Sequence, residues 1–399
     1  MYSKGQKFKQ KGDARLKKLK DVTQNQGFCL GLAGLLLLCM VWPLTVRSAE
    51  FKGSDWLLNI GGALRASYNQ EDCDGECRDI WHREDPDTLL PEKSDTYLSN
   101  DISQLSVSGS RQMDSGIRAL FFAEWRIDSP EEGNGEVFSN FERYLGLDGS
   151  FGLIRVGTIE TPYMQTGKML DPFTSDALST RFFVDIQSAL HHGTGKGRGR
   201  ASNTLRYDAP ISAGGFGLQA FLTVDNSDDG DDGYGVGITY TSQGMKFFVQ
   251  YYDNGEAGDN EAYKIGGRLG SEKFAVFGQY EFDKGLISLS ENLSSLGSED
   301  ISTAVDDNTY ENNHTTGADV WFSGASYATG KFLFVLEYGE RKNSSDGRIR
   351  KDGHTGWLFG IRLMLDPDFY FYGGYLEKTY NAPGLDKDSR YTVGATLTF

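Results

Sequence analysis

The sequence predicts an all-β protein: a 16-stranded antiparallel transmembrane β-barrel with long external loops and short periplasmic turns. Three observations predict it. Beyond residue 50 no stretch reaches the roughly 18 consecutive apolar residues of a spanning helix. Apolar and polar side chains alternate with period two again and again over the same region. The alternating segments are joined by connections that are short and long in turn, the pattern of a barrel with tight turns at one end and loops at the other.

The first element is an address. Lys4, Lys7, Lys9, Lys11, Arg15, Lys17, Lys18 and Lys20 stand against Asp13, and the apolar run Phe28–Trp42 follows. A basic leader, a 15-residue apolar stretch and small residues at Ser48 and Ala49 predict a cleaved secretory signal over residues 1–48. The run is short for an anchor crossing about 30 Å of hydrocarbon. Cleavage removes nine basic and two acidic side chains, so the net charge of −16 becomes −23 in the mature chain, 49–399.

Candidate strands then cover 56–68, 96–109, 117–128, 138–147, 152–159, 201–207, 217–226, 234–241, 245–253, 261–269, 274–283, 318–328, 332–341, 355–365, 369–380 and 389–399. In 117–128, Ile117, Ala119, Phe121, Ala123, Trp125 and Ile127 share one face. Arg118, Leu120, Phe122, Glu124, Arg126 and Asp128 share the other, so the strand is apolar on one side and charged on the other. QMDS, DGSF, SQG, GSEK, TG and DPD are the tight connections, whereas 69–95, 160–200, 284–317 and 342–354 are long and polar. The aromatic clusters Phe369–Tyr372 and Tyr251–Tyr252 predict girdles at the membrane interfaces. A soluble β-helix or a two-sheet adhesin would share the alternation of residues but not that of the connections.

Composition narrows the function classes. With 25 Phe, 20 Tyr and 6 Trp the chain has ample surface to bury and is not disordered. Its strongly acidic balance argues against nucleic acid, whose phosphates want a basic face. No GxSxG, HExxH or Walker A sequence marks an enzyme, and His82, His191, His192, His314 and His354 all fall in expected loops. The acidic tract Asp225–Gly233 lacks the glutamate an EF-hand needs, since Val236 stands at that position, so no metal or cofactor is expected. Cys73 and Cys77, in EDCDGECRD, predict a disulfide in an exported protein. A metal site with Asp74, Glu76 and His82 is the weaker alternative, because two cysteines fall short of a zinc ligand set.

The stretch Tyr144–Phe173 resembles the general diffusion porins of Gram-negative bacteria. The match rests on Leu145-Gly-Leu147, Gly149, Phe151-Gly152, Arg155, Gly157 and Glu160-Thr-Pro162. ASNTLRYDAP (201–210) and the terminal Phe399 are similar to further family features. The resemblance implies an outer-membrane trimer that passes ions and small hydrophilic solutes, embedded in lipid and lipopolysaccharide. It also implies that loop 160–200 folds into the lumen as a constriction. Glu160, Asp171, Asp176 and Asp185 would line it, with Arg200 opposite. Two basic family positions depart from the pattern, falling at Gln104 and near Phe141, and Arg65, Arg118 and Arg126, with Glu124, are expected to charge the lumen wall instead. Tyr163, Met164, Met169, Leu170, Phe173, Leu178, Phe182, Phe183, Val184 and Ile186 are too apolar for a loop left in water. The excess of carboxylates predicts cation preference. A substrate-selective channel and a surface adhesin or receptor barrel are the rival readings.

Overall fold

The computed structural model describes residues 48–78, 89–91, 94–127, 138–180, 199–224, 232–253, 255, 261–284, 319–342, 353–381 and 385–399. The expected signal, Asp185 and most of the acidic tract 225–233 lie outside the described residues.

Nineteen strands and one helix build the described chain: β1 Ala49–Lys52, β2 Trp56–Arg78, β3 Leu89–Pro91, β4 Ser94–Ser99, β5 Gln104–Gln112, β6 Arg118–Ile127, β7 Phe138–Gly149, β8 Gly152–Glu160, α1 Pro162–Lys168, β9 Arg200–Asp208, β10 Phe216–Thr223, β11 Gly233–Ser242, β12 Met245–Asp253, β13 Glu261–Gly270, β14 Phe274–Lys284, β15 Val320–Thr329, β16 Phe332–Arg341, β17 His354–Asp366, β18 Phe369–Tyr380 and β19 Leu385–Thr398. Every pairing is antiparallel, from β5 on β2 round to β19 on β18. β19 then pairs with β2, Thr398 opposite Ala63 and Leu385 opposite Gly75, which closes the ring. With β4 and β5 counted as two halves of one stave, the barrel has 16 strands. β1 takes up the same edge of β2 where β19 stops, Ala49 opposite Ile60, and Phe399 and Gly62 exchange backbone hydrogen bonds at that junction.

Polarity across the wall is inverted relative to a soluble protein. Val249, Ile265 and Leu336 are 53, 54 and 56% exposed, while their inward neighbours Gln250, Lys264 and Glu337 are buried. Such alternation fits a hydrocarbon solvent outside and a polar lumen inside. Rings at the two edges of the apolar band make the girdles. Tyr234, Tyr251 and Tyr263 lie side by side at 5.8 and 4.8 Å between centroids, and Phe216 and Tyr240 at 4.9 Å on the short-turn side. Only every second residue of the expected aromatic clusters can join a girdle, because Tyr252 and Tyr372 point inward and are buried. The two-residue turns are tight where a glycine supplies positive φ, as at Gly244 (75°) and Gly330 (57°).

Two staves depart from the expected strands. β2 continues ten residues past 68, and its upper part pairs with β4 and β19. Cys73 and Cys77 therefore fall on an extended strand and not in a loop, and their side chains lie outside the described residues. The stave expected over 96–109 is broken at Asn100–Ser103, where Asp101 takes φ 45°.

Candidate constriction of the lumen

After β8 the chain leaves the wall at Glu160. Thr161, extended at φ −69° and ψ 151°, accepts a hydrogen bond from the Met164 amide at 3.2 Å, and Pro162 occupies the first helical position. A capping hydroxyl that meets one first-turn amide and a ring with preset φ that carries none favour a helix start here, so α1 begins at once. Beyond Met169 the chain advances in consecutive turns, Thr174 N to Asp171 O (3.3 Å), Asp176 N to Phe173 O (2.8 Å) and Ser179 N to Asp176 O (3.1 Å). The arm 169–180 thus has much of its own backbone bonded.

Apolar side chains hold it against the wall. Leu170, Phe173, Ala177 and Leu178 are buried in one cluster with Phe248, Phe277, Val320, Phe322, Val335, Leu358, Tyr372 and Leu376, which point inward from β12 to β18. Inward apolar residues would be out of place in a water-filled bore, and here they receive the loop. Tyr163 joins a second cluster with Phe221, Tyr252 and Ala262. Gly360 and Gly374, opposite each other on β17 and β18, form the floor of the socket. A Cβ on Gly360 would run into the Phe173 ring, and one on Gly374 would lie 2.8 Å from the Leu178 Cδ1. Gly360→Val is therefore expected to lift Phe173 from the wall, at about 1–3 kcal/mol of overpacking. Noisier open-channel current at unchanged barrel assembly would show it.

Cations of the wall donate to carbonyls of the inserted chain. Arg206 donates to the Glu160 carbonyl at 2.6 Å and Arg390 to that of Ala177 at 3.2 Å. Lys264 donates to Tyr163 O, Arg362 to Pro172 O, and Arg65 to Ile102 O in the β4–β5 break. Arg206 also reaches Gln165 Oε1 at 2.7 Å and Asp208, which Arg155 approaches at 2.5 Å. These two arginines are the ones embedded in the FG-x-x-R-x-G and RYD elements, so the loop's root and those elements are one hydrogen-bonded unit.

The residues singled out in the sequence divide as follows. Glu160 pairs with Lys168 and with Arg200, the latter at 3.0 Å. Arg200 is buried, its guanidinium 3.3 Å from the centroid of Phe141, which occupies the departing position. The Asp171 carboxylate turns into its own loop, accepting from Phe173 N (2.8 Å), Ser179 Oγ (2.6 Å) and Thr180 N (3.1 Å). Asp176 is buried against the wall, where Tyr370 Oη (3.0 Å) and Thr396 Oγ1 (2.9 Å) donate to it and Arg362 and Arg65 lie at 3.5 and 3.7 Å. Burial raises its carboxyl to about 6, against the pull of Arg362 and Arg65. Arg118 sits at the short-turn end, half exposed and paired with Asp148. Glu124 is buried on the inner face of β6, with Arg126 two residues on, half-buried. Sequence reasoning missed Arg155, Arg206, Lys264, Arg362 and Arg390. Parity within their strands places all five inward, which is the signal that could have found them.

A closed 16-strand antiparallel barrel, apolar outside and polar within, defines an integral β-barrel protein of the outer membrane. The profile of the Gram-negative porin family matches residues 58–381, and the chain belongs to that family. The major outer membrane protein P.IB of Neisseria gonorrhoeae is 27% identical over 151 residues, which are 37% of this chain and 40% of that relative. The chain thus matches about two fifths of the length of such curated relatives. Among solved structures, the anion-selective porin from Comamonas acidovorans superposes with a TM-score of 0.65 at 17% identity, over 86% of this chain and 100% of that one. OmpT of Vibrio cholerae in its trimer form gives 0.58 at 11% identity, over 87% and 100%.

Proposed function

We propose that the protein is a passive diffusion channel of the outer membrane, without enzymatic activity, that sieves ions and small hydrophilic solutes at the arm 169–180. The observation that carries this reading is the arm itself, bonded into the lumen of a closed barrel. A solute meets a narrowed, charged passage, and flux follows the concentration gradient. Purified protein is expected to give stepwise conductance in a planar bilayer. Its absence from correctly folded protein would end the channel reading in favour of a receptor barrel.

We further propose a moderate cation preference. The mature chain is strongly acidic, and several inward cations are engaged by loop carbonyls and buried carboxylates. Charge in the outer loops is screened within about 8 Å at physiological ionic strength, so the preference should shrink in concentrated salt. The sign of the reversal potential across a KCl gradient tests it, and anion preference would refute it. The partner proposed for the chain is then a second and third copy of itself, since one similar barrel is known in trimer form. An unheated sample in mild detergent should migrate above monomer size. Phosphate-bearing lipid, lipopolysaccharide included, would surround the apolar band.

A further inference from the structure

The break between β4 and β5 does more than kink a strand. Asp101 and Ser175 both hold positive φ, 45° and 74°, without being glycine. Such conformations are strained for residues with a side chain and persist where surroundings over-determine them. The two residues flank one junction: Ile102 N donates to Ser175 O at 3.2 Å, so a piece of the barrel's second stave touches the arm of the constriction directly. Around that bond Asp101 accepts from Ser67 Oγ at 2.8 Å and from Tyr372 Oη at 2.6 Å, and Tyr372 Oη accepts from Ala177 N at 3.3 Å. Arg65 bridges both sides, giving an N–H to Ile102 O while its backbone amide donates to Ser103 Oγ at 2.8 Å and its guanidinium faces Asp176. Ile102 and Ser103 are buried.

We propose that Asn100–Ser103, with Arg65 and Tyr372, is the positioning element of the constriction, a clasp that fixes where the arm 169–180 stands across the bore. Socket packing holds the arm against β12–β18, and Asp176 and Ala177 are bonded to β17, β18 and β19 beside it; Ser175, next to them, is bonded from the stretch of wall that follows. The clasp reaches Ser175 from β2 and the β4–β5 break, the staves that follow β19 round the barrel, so the arm is tied to a wider arc of the wall. The aperture is then set by two segments of chain, and strain at Asp101 and Ser175 is balanced by the bonds they make. This inference rests on the channel reading.

The test is single-channel recording of three variants beside the parent. Asp101→Ala removes both acceptors and disfavours the left-handed backbone. Asp101→Asn keeps an acceptor and tolerates that backbone. Tyr372→Phe deletes only the hydroxyl, keeping the ring that packs on Phe173 at 6.3 Å. Spontaneous closures and current noise should rise about tenfold in Asp101→Ala and Tyr372→Phe, as the loss of one charged hydrogen bond would give, and stay near the parent in Asp101→Asn. Heat resistance of the folded barrel should move little, which separates positioning from general destabilisation. Parent-like traces from both Asp101→Ala and Tyr372→Phe overturn the clasp. A silent parent would instead fail the channel reading.

Discussion

Barrels lacking residues 169–180 are expected to conduct several-fold more current and to admit solutes the intact protein excludes. The arm is the proposed constriction. Its removal takes Leu170, Phe173 and Leu178 out of the lumen and bares Phe248, Phe277, Phe322 and Leu358 on the wall. The wall itself stands on backbone pairing that the arm does not share, so the barrel should still form. Liposome swelling with sugars of graded size gives the exclusion limit, and a heat-resistant band on an unheated gel certifies the fold. An intact barrel with unchanged conductance and unchanged limit would mean that solutes do not pass the arm.

Arg206→Ala should produce the largest loss of stability of any single substitution at the site. The guanidinium is 1% exposed and serves Glu160 O, Gln165 Oε1 and both oxygens of Asp208. Removing one partner of a buried pair costs about 3–5 kcal/mol, mostly through the charge left behind. Arg155 still faces Asp208, which moves the expectation to the lower end of that range. Arg206→Lys should recover little, because a single ammonium cannot span a carbonyl, an amide and a carboxylate held by a planar fork. Urea unfolding in detergent micelles measures the loss. A cost under about 1 kcal/mol, the scale of an exposed pair, would show that the root of the loop is not organised by this residue.

How far the sequence carried depended on which solvent each residue answers to. Strands of the spanning region were legible because lipid on one side and water on the other impose period two, as in Phe121, Ala123 and Trp125 against Glu124 and Arg126. Above the membrane that contrast vanishes: NQEDCDGECR is polar on both faces, so the extension of β2 to Arg78 left no alternation to read. The break at Asp101 was equally silent, since SNDIS has no glycine or proline to announce a left-handed residue. Within the site, the apolar content of 160–200 correctly required burial. That burial is seen over the described part, 160–180, while Phe182, Phe183, Val184 and Ile186 lie outside the described residues. The partners of the buried part could not be read off. Phe277 and Leu358 are ordinary inward residues of strands more than a hundred positions later, and only the closed barrel sets them under Leu170 and Leu178. The carboxylates of Asp171 and Asp176 looked available for the pore because sequence shows charge but not the hydroxyls and amides that engage it.

The seam between β2 and β19 joins residues more than three hundred positions apart. Until β19 arrives, β2 presents a bare edge of amides and carbonyls from Ala63 to Gly75, beside the apolar Leu64 and Tyr68, and the other end of the growing sheet is equally open. Unpaired edges with one greasy face are templates for intermolecular pairing. A chain built this way cannot wait alone in water for its last strand. Ring closure in lipid removes both hazards together, since β19 then pairs the edge of β2 while the apolar side chains meet hydrocarbon.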